Sequence, residues 1–308
     1  MKTKIVYIVT LRDGGLRFFE MFQLSVESLR LHQPDARIEL VMDNVSYASL
    51  CETGQAVPKG VKLINVDVPQ EWERQKSRYL KTKLRTLTGG DYLYLDVDTL
   101  ISGNLEKLDY TDADLAAVPD GNGPAGLWNE SEAELCVRAG IPSPMGKPYF
   151  NSGVMFVRDV QSSYVFYEQW HMLWKAMAGK GIRRDQMALL EANERLGRPV
   201  RELAAEWNCQ ICCSAAIHYF RNAKIIHYYS DISCFPDRFV TPHFINGCPD
   251  NTALALAADP IKSGFRFYYT KHRRFSRFVS EFLYIFRNNQ RIFRYIKSLP
   301  GKVERLMK

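Results

Sequence analysis

Two carboxylates stand one residue apart in the segment YLDVDT, where Asp96 and Asp98 follow an apolar run that begins at Tyr92. Hard divalent cations prefer oxygen ligands, and such a cation neutralises the charge of a diphosphate. Ligands of open α/β sheets bind at the carboxyl ends of strands, where this pair would lie. Both side chains can bind one ion only if the chain bends between them. We interpret the pair as a metal site; the alternative is an acidic turn after a strand.

Further polar residues lie in apolar surroundings later in the chain. Asn151 precedes Ser152 in an apolar run, and its amide can donate to and accept from the hydroxyl groups of a ligand at once. Asp185 and Gln186 open a predicted helix, where Asp185 could instead act as an N-terminal cap. His227 ends a late apolar run, and its alternative role is a buried, hydrogen-bonded core histidine. Asn151 could likewise be a satisfied polar group at a strand end.

The pattern of strands and helices must position these residues. Apolar runs predict strands at 5–10, 38–42, 61–66, 92–96, 149–157 and 224–228. Helical spacing predicts helices at 16–31, 76–87, 162–177 and 184–196. Strands and helices in alternation imply a mostly parallel sheet in an α/β fold. The Pro and Gly residues between 120 and 148 predict loops over a site.

Four segments, taken together, resemble the GT-A glycosyltransferases, especially family 8. They are KTKL at 81–84 with DYLYLDVDTL at 91–100, PYFNSGV at 148–154, the Asp185-Gln186 pair, and IIHY at 225–228. These segments resemble, in the family's own order, its donor-binding region, its FN(A/S)GV segment, its DQ pair and its late strand with a metal-binding His. The resemblance covers about residues 4–230.

The resemblance implies a GT-A fold, which is a Rossmann-like mixed sheet flanked by helices, and transfer of a hexose from a UDP-sugar with retention. It implies that Asp96, Asp98 and His227 hold a metal ion, and that Asp96 also reaches the ribose. Mn²⁺ tolerates such mixed nitrogen and oxygen ligands better than Mg²⁺ does, although Mg²⁺ remains an alternative. Gln186 would lie beside the anomeric carbon, and Asp185 would bind donor or acceptor hydroxyls.

The resemblance also implies a set of donor-binding residues. Arg78 and Lys81 lie one turn apart on the helix before the acidic pair, near a basic donor contact of the family; a solvated basic face is the alternative. Thr10, after the first strand, matches the nucleotide-binding edge by position alone. Asn151 and Ser152 complete the set expected around the sugar.

The sequence departs from the family in the segment after His227. The family often continues there with Gly and then Lys-Pro-Trp, whereas this chain continues with Tyr228 and has no such Lys. A lysine bound to the diphosphate is therefore not expected at this place, and Arg238 is a candidate substitute. Arg12 and Asp13 are further candidates for the nucleotide edge, without a matching residue in the family.

Charge is distributed unevenly along the chain. The net charge is +7, but residues 262–308 carry thirteen Lys and Arg against two Glu, or +11, which leaves −4 for residues 1–261. We therefore expect a GT-A catalytic domain at 1–261 and a basic helical tail at 262–308. The tail has an aromatic face, in which Phe275, Phe278 and Phe282 recur at helical spacing. Such a helix binds anionic membrane surfaces; packing on the catalytic domain and a nucleic-acid arm are the alternatives, and no nucleic-acid partner is expected.

Cysteine usage and the N-terminus favour a cytoplasmic protein at the inner face of a membrane. The seven Cys are odd in number and contain no pair of CxxC units, which favours reduced thiols. Cys209, Cys212 and Cys213 lie close together, but no second cluster completes a zinc site. The first apolar run ends at Arg12, too early for a signal peptide, and no run approaches the ~18 apolar residues that span a bilayer. A glycan or glycolipid acceptor fits this location.

Two other functions remain open at this point. A nucleotidyltransferase would make the sugar nucleotide, and that class usually has a Gly-rich basic loop after its first strand. The segment RDGG at 12–15 resembles such a loop only faintly. A non-catalytic module of the same fold could instead bind a glycan or a lipid surface. Donor hydrolysis by the purified protein separates the enzyme from the binding module.

Overall fold

The computed structural model describes residues 1–11, 15–122, 130–141 (130–133 by backbone alone), 147–210, 219 and 222–228. Several predictions lie outside the described residues: the tail at 262–308, the domain boundary at 261, and the residues Arg12, Asp13, Cys212, Cys213 and Arg238. The domain boundary and the membrane tail therefore stay predictions.

Strands and helices alternate through most of the described chain. In order they are β1 (Lys4–Val9), α1 (Arg17–His32), β2 (Ile38–Asp43), α2 (Asn44–Glu52), β3 (Val61–Val66), α3 (Lys76–Leu87), β4 (Tyr92–Leu95), β5 (Thr99–Ile101), β6 (Leu115–Pro119), α4 (Glu130–Ala139), β7 (Phe150–Val157), α5 (Gln161–Gly179), α6 (Gln186–Arg195), β8 (Val200–Glu202), β9 (Cys209–Gln210) and β10 (Ile225–His227). The order agrees with the predicted α/β class.

Seven of the strands form one sheet in the order β3-β2-β1-β4-β7-β6-β8. The first four are parallel, β7 is antiparallel to both of its neighbours, and β8 is parallel to β6. A second sheet has the order β5-β10-β9, with β10 antiparallel to β5 and parallel to β9. This mixed sheet between helices is the predicted architecture.

The sheet is buried on both faces. Every residue of β1, β2, β4 and β7 is buried, as their continuous apolar runs require. One apolar cluster joins the sheet to α1, which contributes Phe19 and Phe22. The other cluster lies under α5 and α6, where Trp170 and Trp174 are fully buried. Polar residues at strand ends therefore stand on a rigid framework.

The region at 120–148 differs from the prediction of loops alone. It contains the helix α4, whose residues Cys136 and Ala139 are buried against the second apolar cluster. The Pro and Gly residues on either side of α4 favour turns, and the helical pattern of α4 is only ten residues long. The helix was therefore not predicted. The other predicted helices end within a few residues of their observed bounds.

Candidate active site and metal centre

The acidic pair lies where the chain leaves the large sheet. β4 ends at Leu95 and β5 begins at Thr99, so the chain bends between Asp96 and Asp98, as one shared ion requires. β10 then pairs antiparallel with β5 and sets His227 opposite Thr99. One ligand atom from each of Asp96, Asp98 and His227 lies within 4.8 Å of the others.

Gly153 provides the space in which the three ligands meet. It follows Ser152 in β7, and its carbonyl accepts a 2.7 Å hydrogen bond from the backbone N–H of Asp96. A Cβ at this position would lie 2.5 Å from His227 Cε1 and 2.7 Å from Asp96 Oδ2. Real Cβ atoms essentially never come so close, so a side chain here would displace a ligand. The glycine is needed for close approach rather than for an unusual backbone angle.

Two hydrogen-bond donors hold the Asp96 carboxylate, in addition to the bend between β4 and β5 that positions it. The Lys81 ammonium donates to both carboxylate oxygens, at 3.0 and 3.3 Å. The Tyr94 hydroxyl also donates to Asp96. Burial raises the pKa of Tyr94 well above its usual value, and the charge of Asp96 raises it further. The phenol therefore stays protonated and serves as a permanent donor that fixes the orientation of the carboxylate.

Asp185 is a buried, ionised carboxylate rather than a helix cap. It stands just before α6, yet its side chain makes no capping hydrogen bond. Its partners are Arg78 Nε at 2.9 Å, Ser152 Oγ at 2.7 Å and Lys81 Nζ at 3.8 Å. Burial alone would raise the pKa of Asp185, but the charges of Lys81 and Arg78 outweigh burial and lower it. The Arg78 side chain is 43% exposed, so the arginine end of this buried pair reaches solvent.

Gln186 and Asn151 converge on an acidic residue that the sequence analysis did not select. Asp120 Oδ1 accepts from Asn151 Nδ2 at 2.9 Å and from Gln186 Nε2 at 3.0 Å. Asp120 directly follows the apolar strand β6. That is the same pattern of an acid at a strand end that identified Asp96, so the signal was present in the sequence.

A second residue that the sequence analysis missed, Asn208, joins the sugar side of the site to the metal side. The Gly153 N–H can only donate, and it bonds to Asn151 Oδ1, which also accepts from Asn208 Nδ2 at 3.0 Å. Asn208 Oδ1 is therefore the acceptor that faces His227 Nδ1 at 3.2 Å. This fixes the hydrogen on Nδ1 and leaves the lone pair of Nε2 for a ligand.

The arrangement of lone pairs fits a bound cation. In that tautomer His227 Nε2 and Asp98 Oδ1, which lie 3.2 Å apart, are both acceptors. A cation between them, or a proton on the imidazole, must offset their repulsion. Carboxylate oxygens and an imidazole nitrogen are ligands of divalent cations. These residues therefore fit a divalent metal ion.

We predict that Asn208→Ala weakens Mn²⁺ binding by about 10- to 100-fold, since it removes the acceptor that orients His227. Isothermal titration of the protein with Mn²⁺ measures this. Asn65→Ala is the matched control, because Asn65 is exposed on β3. Unchanged Mn²⁺ affinity in a folded Asn208→Ala protein would show that the imidazole is oriented by other contacts.

The remaining predicted residue, Thr10, lies one position beyond β1 and is buried. β1 and β4 are parallel neighbours, so Thr10 lies at the same edge of the sheet as Asp96. Within the described part of the chain, no hydrogen bond joins Thr10 to the residues above. The structure thus brings nine predicted residues into one connected network and places Thr10 at its edge.

Solved structures of similar fold are glycosyltransferases. The crystal structure of an active-site mutant of LgtC aligns with a TM-score of 0.54 and 17% identity, over 74% of this chain and 88% of that chain. Glycosyltransferase GlyE of Streptococcus pneumoniae TIGR4 aligns with a TM-score of 0.52 and 18% identity, over 82% of this chain and 63% of that chain. No curated protein sequence matches the chain. The mixed sheet and these alignments define a GT-A glycosyltransferase fold.

The sequence itself carries a more specific match. The model of glycosyl transferase family 8 matches residues 31–232, which is well over half of the chain. The chain therefore belongs to glycosyltransferase family 8, and it is a glycosyltransferase. This assignment confirms the predicted fold and enzyme class, and it favours transfer over both a nucleotidyltransferase and a non-catalytic module.

Proposed function

We propose that the protein transfers a hexose from a UDP-sugar to a hydroxyl group of a glycan or glycolipid, with retention at the anomeric carbon and with Mn²⁺, or alternatively Mg²⁺, as cofactor. The observation that carries the proposal is the meeting of Asp96, Asp98 and His227 within 4.8 Å. They lie directly beside the Lys81 and Asp185 network. In this proposal a metal ion for the diphosphate and a polar site for the sugar would be neighbours.

The metal ion would offset the negative charge of the diphosphate as the bond to the anomeric carbon breaks. Asp96, Asp98 and His227 would hold it. Lys81 places one further positive charge between this centre and Asp185, because its ammonium contacts both carboxylates. Lys81 would therefore supply positive charge between the diphosphate and the sugar.

The sugar would lie among Asp185, Asn151 and Gln186. Asp185 is ionised, so it accepts hydrogen bonds from sugar hydroxyls, and Arg78 keeps it oriented. Gln186 donates through Nε2 to Asp120, so its carbonyl oxygen points away from that bond. An amide oxygen beside the anomeric carbon stabilises the positive charge that develops there.

Retention follows in this proposal from attack on the face that the diphosphate leaves. The acceptor oxygen forms the new bond to the anomeric carbon, and its proton passes to the departing diphosphate oxygen. We expect Gln186→Ala to lower kcat by about 10²-fold with donor affinity little changed, since the amide acts mainly in the transition state. Turnover of a panel of UDP-hexoses with Mn²⁺ and simple glycoside acceptors measures this.

The stereochemistry of the product is the second measurement on the same reaction. Proton NMR of the first product formed should show the anomeric configuration of the donor. An inverted product would refute the same-face mechanism. Full turnover by Gln186→Ala would remove this residue from the reacting centre but would leave the metal centre in place.

We propose further that the basic tail holds the enzyme at an anionic, cytoplasmic membrane surface. The support is its charge of +11 and its aromatic spacing. No helix among the described residues is long and apolar enough to cross a membrane. We expect the full chain to sediment with anionic vesicles at low salt and to be released at high salt, because exposed charges are screened.

A chain that ends at Asp259 is the matched control for the tail. It should remain unbound and should still hydrolyse donor, since every proposed site residue precedes that position. Aggregation of the shortened chain would instead support packing of the tail on the catalytic domain. Vesicle binding that ignores both salt and truncation would overturn the membrane proposal.

A further inference from the structure

Four cations lie on two segments of the chain, one of which leads directly into Asp185, and we call them the basic rim. They are Arg138 at the end of α4 and Lys180, Arg183 and Arg184 in the turn between α5 and α6. All four side chains are exposed. Arg183 and Arg184 directly precede the pair Asp185-Gln186 along the chain. The arginine pair of the rim therefore adjoins the residues among which the sugar is proposed to react.

The two parts of the rim are packed against each other. A Cβ at Gly181 would lie 3.6 Å from an Arg138 guanidinium nitrogen, and one at Gly140 would lie 3.8 Å from Lys180 Nζ. Lys180 Nζ also donates to the carbonyl of Ala139 at 3.0 Å. Cations from two separate elements thus converge although like charges repel.

Within the described residues, none of the four forms an ion pair with a carboxylate. The other two cations of the site differ in this respect, since Arg78 pairs with Asp185 and Lys81 with Asp96. The chain contains no acidic residue between Glu168 and Asp185, although residues 1–261 carry a net charge of −4. An acidic catalytic domain therefore has a positive surface next to its reactive centre.

The backbone that carries Arg183 and Arg184 is anchored. Ile182 is buried, and its N–H bonds to the carbonyl of Met177 at 3.0 Å. On either side of Arg184, Trp174 donates to the carbonyl of Arg183 at 3.4 Å and Trp170 to that of Asp185 at 3.0 Å. The two guanidinium groups thus extend from a fixed turn, which lowers the entropy lost when they bind a ligand.

We propose that the acceptor carries a phosphate group close to the hydroxyl that receives the sugar, and that the basic rim binds this phosphate. The inference rests on the proposed function, whose acceptor class it narrows. Guanidinium groups match the geometry of phosphate oxygens through paired N–H donors. Two adjacent arginines with a lysine nearby suit a dianion better than a neutral glycan.

The order of contacts separates the rim from the diphosphate of the donor. Asp98 and His227 are in contact, and Asp96 completes the metal group. Lys81 contacts Asp96 on one side and Asp185 on the other. Arg183 and Arg184 of the rim directly precede Asp185 in the sequence. The arginine pair of the rim thus adjoins Asp185, a residue proposed to bind the sugar, rather than the metal group, and we assign it to the acceptor.

The test uses the full chain saturated with UDP and Mn²⁺, so that the probe cannot occupy the diphosphate site. The probes are glucose 6-phosphate and glucose, measured by isothermal titration. We expect glucose 6-phosphate to bind at least about tenfold more tightly than glucose, with the difference decreasing as salt is raised. In the double variant Arg183→Glu with Arg184→Glu the two sugars should bind alike.

The matched control is Lys59→Glu with Lys107→Glu. It changes the net charge by the same amount as the rim variant, at exposed positions that are distant in sequence from the rim. It should keep the preference for the phosphorylated sugar. A second variant, Arg183→Gln with Arg184→Gln, avoids new acidic groups and should also lose the preference. Circular dichroism confirms that each variant is folded.

Three results would overturn the inference: equal binding of both sugars by the unmodified protein, a preference that survives both rim variants, or a rim variant that weakens UDP binding to the same extent. The third would assign the rim to the donor. If the unmodified protein binds both sugars equally and the rim variants lose vesicle binding, the rim would be assigned to a membrane surface. Failure of the proposed function is distinguishable, because Mn²⁺-dependent UDP binding is measured on the same sample.

Discussion

Asp98→Ala should reduce metal-dependent sugar transfer by about 10³-fold. The change removes a carboxylate from a site with two, and a bound metal ion contributes several kcal/mol to stabilising charge in a transition state. The remaining ligands, Asp96 and His227, come from separate parts of the chain, the bend after β4 and the end of β10. Initial rates across a Mn²⁺ titration measure the effect, with UDP affinity in the same buffers as a second reading.

Asp112→Ala is the control for this change, since Asp112 is exposed and belongs to no part of the site. It should leave both rate and Mn²⁺ requirement unchanged. A rate that survives Asp98→Ala and also survives EDTA would contradict a metal-dependent mechanism. Loss of activity without any change in Mn²⁺ binding would assign Asp98 a different role.

The sequence was sufficient for residues whose place follows from strand order. Asp96 and Asp98 follow an apolar run, and the carboxyl ends of parallel strands share one edge of a sheet. The structure places the pair there, and the bend that one ion would need lies between β4 and β5. His227 was linked to the pair only through the family resemblance, because no local pattern reveals that β10 pairs with β5.

The network that orients these residues was not predictable in the same way. Asn208 stands in a short segment before the two-residue strand β9, where no periodicity indicates burial. Its function depends on two partners, Asn151 and His227, that are far away in the chain. The two possible roles of Asp185 could likewise be separated only by seeing Arg78 and Ser152 bound to its carboxylate.

Lys81 shows how closely the metal and sugar sides of the site depend on each other. Its ammonium lies 3.0 Å from Asp96 and 3.8 Å from Asp185, and the side chain is only 3% exposed. A buried charge is costly unless it is paired, so each carboxylate helps to keep the lysine in place. Binding of a metal ion should therefore alter the electrostatic environment of Asp185 through Lys81.

Gly153→Ala should weaken Mn²⁺ binding by about 10- to 100-fold, as expected when the groups that orient a metal ligand are disturbed. The new methyl group would lie 2.5 Å from His227 Cε1 and 2.7 Å from Asp96 Oδ2, so at least one ligand must move. His227 is 2% exposed and is held by Asn208, which leaves little space for adjustment. Overpacking of this kind also costs about 1–3 kcal/mol of folding stability.

Gly179→Ala is the matched control, since a Cβ at Gly179 meets nothing within 4 Å. It should leave both Mn²⁺ affinity and the melting temperature close to those of the unmodified protein. The two effects at Gly153 are separable, because thermal denaturation without metal reports the packing strain and titration of the folded protein reports the ligand geometry. A Gly153→Ala protein that melts lower yet binds Mn²⁺ as tightly as before would show that the strain is absorbed elsewhere. The close approach at Gly153 would then serve the packing of β7 against the bend after β4, rather than the geometry of the metal ligands.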